Sequence, residues 1–253
     1  MLKIDQLIKK FPLPNGSVIT ALDGFSLTLS KGDFAVIIGP NGSGKSTLFD
    51  LIAGRSFANA GRILFDGRDI TFTPPHRRAS KITLISQSRG SGLPRAMTVR
   101  EVIELALGTN GISKLKKTAK DVSTELDVLG PGLSGIIDNQ IWYLSGGEYQ
   151  LVALLIAVIL CERSEDGNHV LLLDEHISQL APDAKDRVLR VTTELIARKH
   201  LTAVLATHDP DVATVTGNRQ LIIKKGKLDR DYSGEERIRD VADLRCIIKD
   251  IPS

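Results

Sequence analysis

Eight consecutive residues, Gly39-Pro40-Asn41-Gly42-Ser43-Gly44-Lys45-Ser46, have the make-up of a phosphate cradle. Glycines let successive backbone N–H groups converge on anionic oxygens, and the start of a following helix adds the positive end of its dipole. A lysine at the Lys45 position reaches the outer phosphates of a nucleotide, and the Ser46 hydroxyl helps to hold Mg²⁺. The flanks agree. Phe34–Ile38 is a short apolar run of the buried parallel-strand type, and a helix is expected over Lys45–Ala53 with Gly54 as its stop. A plain glycine turn between strand and helix would require neither the lysine nor the serine. The loop reads as nucleotide binding, and leaves open a kinase, a GTPase or a motor.

A second chemical signal lies at the end of an apolar run. His169-Val170-Leu171-Leu172-Leu173 leads into Asp174 and Glu175. In a chain with a phosphate loop, an aspartate there orients Mg²⁺. The adjacent Glu175 is placed to polarise an attacking water as general base. Alone, such a pair is often a surface turn; beside the loop, the chemical reading is favoured.

Leu144-Ser145-Gly146-Gly147-Glu148 opens another expected helix. Its hydroxyl, two bare backbone N–H groups and helix start form a further anion-binding surface, although an ordinary serine–glycine N-cap looks the same. A second cradle within one molecule is redundant. It makes sense if it covers the γ-phosphate held by another copy.

Lying between the phosphate loop and the acidic strand, this run resembles the signature of the ATP-binding cassette (ABC) ATPases, and the resemblance extends over about residues 1–227. The resemblance implies that Phe11 stacks on adenine, and that Gly39, Pro40, Asn41, Gly42, Ser43, Gly44, Lys45, Ser46 and Thr47 hold ATP. It further implies that Ser145, Gly146, Gly147 and Glu148 meet the nucleotide of a second copy. Gln87 is similar to the glutamine that senses Mg²⁺, alongside Ser46 and Asp174, and contacts a membrane partner. His208, in Ala206-Thr207-His208-Asp209, is similar to the switch histidine beside the γ-phosphate, and joins Glu175 and Lys45 as a catalytic residue.

Two positions depart from the family pattern. Ala181 stands where an aspartate usually couples the two sites of a dimer, and Tyr149 stands where a basic residue is usual. Neither touches the phosphate, Mg²⁺ or water-activating positions, so an active but loosely coupled ATPase is expected. Asp174-Glu175-His176, with Pro74-Pro75-His76-Arg77-Arg78-Ala79, also resembles the ATPase subunits of a bacterial uptake group linked to aromatic amino acids.

Alternating strands and helices must position these residues, which argues for an α/β chain with a parallel sheet covered on both sides. Strands are expected at 82–86, 170–173, 202–206 and 220–223, preceded by short alternating strands near the N-terminus. Helices are expected at 114–129, 148–160 and 183–197, and Thr98 with Glu101 suggests a capping box for a helix to Leu107. The resemblance implies a RecA-like P-loop NTPase core with an antiparallel β subdomain and an inserted helical subdomain. On that reading residues 1–230 form the nucleotide-binding domain, its helical part at about 90–160, and residues 231–253 a C-terminal extension.

The 253 residues, 42% hydrophobic and 25% charged, are those of an ordinary globular protein. A net charge of +3 is too small to argue for nucleic acid. The basic clusters at 76–81 and 114–120 read as solvated helix faces. Cys161 and Cys246 both sit in apolar company and read as two buried thiols. The N-terminus lacks the features of a signal peptide. The most apolar stretch, 151–161, is half of the roughly 20 residues a spanning helix needs, and reads as a buried core helix. The resemblance therefore implies a peripheral ATPase at the cytoplasmic face of a membrane. It would work as a homodimer with integral membrane permease subunits and a substrate-binding protein, taking ATP and Mg²⁺ to drive import. A regulatory ATPase of a membrane complex and a soluble DNA-repair or translation ATPase are the alternatives. Soluble DNA-repair and translation ATPases usually carry two cassettes in one chain or a long coiled-coil insertion, and neither is expected here.

Overall fold

The computed structural model describes residues 1–86, 92–108, 126–127, 129–130, 133–164 and 167–249. Gln87 and most of the helix expected at 114–129 lie outside these. In chain order the elements begin with β1 (Leu2–Pro12), β2 (Val18–Leu29), β3 (Phe34–Ile38), α1 (Lys45–Ala53), β4 (Ala60–Phe65) and β5 (Arg68–Asp69). There follow α2 (Pro75–Arg78), β6 (Ile82–Ser86), α3 (Val99–Gly108), α4 (Gly146–Glu162), β7 (Val170–Asp174) and α5 (Pro182–Arg198). The chain closes with β8 (Thr202–Thr207), α6 (Pro210–Val215), β9 (Arg219–Lys224), β10 (Lys227–Ser233) and α7 (Val241–Lys249).

They form two compact units: Met1–Leu84 with Asn168–Glu175 and His200–Ser253, and Ile85–Gly167 with His176–Lys199. In the first unit an antiparallel sheet runs β2-β1-β4-β5. Its strands alternate because one face is buried: Leu2, Ile4 and Leu7 of β1 face inward with Phe25, Leu27 and Leu29 of β2. The other sheet runs β10-β9-β3-β8-β7-β6 among the described residues, with β9-β3-β8-β7 all parallel and β10 antiparallel at the edge. Every residue of β3 and β8 is buried, as expected for strands covered on both faces. One apolar cluster joins the two sheets through α1, whose Leu48, Phe49, Leu51 and Ile52 lie inside it. The phosphate loop therefore sits on a rigid support.

The basic cluster at 76–81 is not simply a solvated face. Arg78 is 2% exposed, and its guanidinium donates to the carbonyls of Leu51 and Ile52 at 2.7 Å each, and to those of Thr71 at 3.0 Å and Thr73 at 2.7 Å. It ties off the C-terminal carbonyls of α1, which a helix cannot satisfy by itself. Burial lowers its pKa to about 10, against the attraction of Asp69.

In the second unit α4 is buried from Tyr149 to Ile159, so 151–161 is a core helix as its composition implied. The helix begins two residues earlier than expected because Ser145 caps it. The Thr98 capping box is present: its N–H donates to Glu101 Oε2 at 2.7 Å, and the Glu101 N–H donates to Thr98 Oγ1 at 3.2 Å. No helix among the described residues is long and apolar enough to cross a membrane. The two cysteines differ, contrary to expectation. Cys161 is buried, its thiol pushed up to about 12 by desolvation and Glu162, whereas Cys246 is exposed because it falls on the solvent face of α7.

Candidate functional site

The loop after β3 delivers α1 with an open N-terminus. Its N-cap is Gly44, in the left-handed region at φ 105°, and no side chain caps the first turn. A Cβ at Gly44 would meet the Ala21 carbonyl oxygen at 2.4 Å, so β2 presses against the loop where only glycine fits. Lys45 is 5% exposed, and its ammonium donates to the Gly39 carbonyl at 2.7 Å and the Pro40 carbonyl at 3.0 Å. Burial lowers its pKa, while Glu175 and Asp174 favour its charged form. The Ser43 Oγ is buried without a partner.

Parallel pairing brings the acidic strand end alongside. Asp174 of β7 lies opposite Ala206 of β8, so the residues that leave the two strands emerge together. Burial pushes the Asp174 carboxyl above the ordinary range; the Ser46 hydroxyl bonded to it pulls it back, Glu175 and Asp50 push it further, and Lys45 opposes them. Asp174 Oδ1 is buried with no partner. Glu175 is held at φ 47°, a conformation unusual for a residue with a side chain, with its N–H bonded to the Ala206 carbonyl at 3.0 Å. Its Oε1 lies 3.0 Å from His208 Nδ1, just beyond β8. Lys45, Ser46, Asp174, Glu175 and His208 are thus gathered in one unit.

Phe11 lies near the end of β1, exposed, with the Lys9 ammonium 4.8 Å from its ring centroid. It pairs with Ile19, two residues before the Ala21 that touches Gly44, so the β1–β2 register ties this ring to the loop. Ser145, Gly146, Gly147 and Glu148 belong to the other unit. There Ser145 N–H donates to Glu148 Oε2 at 2.8 Å and Glu148 N–H donates to Ser145 Oγ at 3.3 Å. Glu148 is therefore a structural partner of the cap, a role that the Ser-x-x-Glu spacing itself signals. Gly147 closely approaches α5, where a Cβ would lie 3.3 Å from that of Ala184. Tyr149 is buried, and its hydroxyl accepts the Leu93 N–H at 3.2 Å. Ala181 is the uncapped start of α5. Gln87 lies outside the described residues. Sequence reasoning missed Ala21 and Arg78; a contact made by a main-chain carbonyl leaves no side-chain signal, and Arg78 was hidden in a basic cluster.

The ABC transporter family model matches residues 22–178. The tyrosine transport ATP-binding protein of Clostridioides difficile (strain R20291) is 32% identical over 241 residues, 94% of each chain. The thiamine import ATP-binding protein of Chelativorans sp. (strain BNC1) is 33% identical over 231 residues, 91% of this chain and 86% of that one. Among solved structures, a nucleotide-free ATP-binding cassette from an ABC transporter superposes with a TM-score of 0.76 at 27% identity, covering 100% of this chain and 99% of that chain. A dimeric bacterial ABC transporter cassette, 24% identical with a TM-score of 0.72 over 92% of this chain and 98% of its own, shares the fold. The matched stretch carries the phosphate loop, the Ser145 helix start and the acidic strand end, and this chain belongs to the ABC transporter family as an ATP-binding cassette that hydrolyses ATP.

Proposed function

We propose that this chain powers an importer as its peripheral ATPase at the cytoplasmic face, two copies closing around two ATP molecules beneath membrane-spanning permease subunits. The observation that carries the reading is the 3.0 Å pair of Glu175 and His208 in the unit that holds the phosphate loop. The thiamine import relative supports the direction, and the tyrosine transport relative makes aromatic amino acids the first cargo to test, delivered by a substrate-binding protein. The dimeric cassette supports pairing.

In this reading the residues 39–47 wrap the phosphates, Lys45 neutralises their charge, and Phe11 packs on the base. The buried, partnerless Ser43 Oγ and Asp174 Oδ1 and the uncapped α1 fit a phosphate chain with a divalent cation. Ser46 and Asp174, with Gln87, would hold Mg²⁺, which would supply positive charge to offset that of the phosphates. Glu175 orients the attacking water and accepts its proton. His208 holds the Glu175 carboxylate through Nδ1 and turns its other nitrogen to the γ-phosphate. Ser145 and Gly147 of a second copy cover that phosphate, so ATP favours the closed pair and hydrolysis releases it. Ala181 lacks the carboxylate that would couple the two sites, leaving them loosely linked.

The test is Glu175→Gln. The variant is expected to bind ATP, accumulate as a dimer in size-exclusion chromatography and lose turnover. Parental hydrolysis by this variant, or full activity from a strictly monomeric chain, would overturn the reading.

A further inference from the structure

The last elements of the chain are fastened to the short helix that follows His208. The histidine and α6 share their supports: Asp209 N–H donates to Thr207 Oγ1 at 3.0 Å, and the Asp209 carboxylate caps α6 by accepting the Asp211 N–H at 2.9 Å. A helix of six residues has no stability of its own, so its position is set by whatever grips it.

Three grips come from β9 and the C-terminal segment. Arg237 Nη2 donates to the carbonyls of Thr216 at 2.9 Å and Thr214 at 3.3 Å, at the C-terminal end of α6. These are the carbonyls that a helix end leaves orphaned. Gln220, fully buried in β9, donates its amide to the Ala213 carbonyl of α6 at 2.8 Å and to the Ile238 carbonyl at 2.9 Å. The same side chain accepts the Ile238 N–H at 2.9 Å, so one amide binds sheet, helix and tail together. At the other end of α6, Arg245 Nη2 donates to Asp211 Oδ2 at 2.8 Å, and the neighbouring Leu244 is fully buried. Arg237 Nε is buried without a partner, a penalty that the grip on the helix must offset.

We propose that the 237–245 segment positions His208: holding α6 at both ends, it fixes the approach of the histidine to Glu175, with Arg237 as the main positioning residue. The C-terminal extension is then part of the hydrolytic apparatus. The inference rests on the catalytic assignment of His208, and its test separates the two.

Steady-state ATP hydrolysis by the full chain carrying Arg237→Met is expected to fall about tenfold while KM for ATP moves less than about twofold. Arg237→Lys, which retains a donor cation, is expected to recover most of the rate. In a His208→Ala chain the Arg237→Met change is expected to add nothing, because the group it positions is gone. Equal losses in both backgrounds, or a folded Arg237→Met chain with parental turnover, would overturn the proposal. Arg245→Ala breaks a solvent-exposed pair and preserves the test if Arg237→Met does not fold; a loss of about two- to threefold is expected. The ring resonance of His208, assigned by its disappearance in His208→Ala, is expected to shift in the arginine variants while that of His169 stays. Should His208→Ala hydrolyse ATP at the parental rate, the catalytic assignment fails, and a moved His208 resonance would still support the brace. An unmoved resonance overturns it.

Discussion

Two helices in this chain start at glycine-rich runs, and their first turns are finished in opposite ways. At α1 the N-cap is a glycine with no side chain to offer, pressed against Ala21, and the first-turn N–H groups are left for a ligand. At α4 the Ser145–Glu148 box satisfies the helix from within its own sequence. The first arrangement gives up capping stability, of the order of 1 kcal/mol, to keep an anion receptor open. The second is a stable helix start at which Gly146 and Gly147 carry no side-chain bulk. On the proposed reading, an open receptor and a self-satisfied cover are what a site completed by a second copy would require.

Several substitutions would break or sharpen that contrast. Lys45→Ala is expected to have the largest effect, lowering ATP turnover by roughly a hundredfold or more and weakening nucleotide binding measured by fluorescence titration. Gly44→Ala follows: the 2.4 Å contact and the 105° φ should destabilise the fold by about 2–4 kcal/mol in urea unfolding and weaken ATP binding with it. Glu148→Ala removes only the capping partner, so a loss of about 1 kcal/mol is expected, with turnover barely changed. Replacing Ser145 by a bulky residue should cost a similar amount of stability, since the cap is lost, but should also stop turnover. If both changes act alike on turnover, the contrast between cap and lid is lost.

A further effect concerns acid. His169 and His176 are buried, and desolvation holds each at about 4, below the usual histidine value. The unfolded chain therefore takes up protons between pH 6.5 and 4 that the folded chain refuses. Stability should fall as pH drops through that window, with a slope approaching about 1.4 kcal/mol per pH unit for each histidine. His169 Nε2 lies 2.8 Å from Thr83 Oγ1, and His169→Gln, which keeps a polar group there without a titrating ring, should roughly halve the slope in urea unfolding followed from pH 7 to pH 5. The smallest change is chemical: Cys246 should react rapidly with a thiol reagent in the native chain, and Cys161 only on unfolding.

Much of the molecule was legible in its residues. The apolar runs at Phe34–Ile38 and Val170–Leu173 announced buried parallel strands, and lysine and serine after the glycine loop are the basis of the proposed phosphate site. Thr98 and Glu101 announced their own cap. Local chemistry at short spacing is what such signals encode, so they survive without tertiary information. Arg78 shows the limit, since nothing in the Arg77-Arg78 pair distinguishes the one that turns inward to four carbonyls. Cys246 failed for the same reason: neighbours in sequence do not reveal which face of α7 meets solvent.

The amino-acid order by itself determined the chemistry available: a lysine, two carboxylates, a histidine, and the glycines that let backbone approach phosphate. The tertiary structure decided which of these meet. Glu175 and His208 are 33 residues apart, and only the parallel register of β7 on β8 brings them to 3.0 Å. Hydrogen-bond ladders and burial act between segments distant along the chain, and a linear pattern records each partner without recording the pairing.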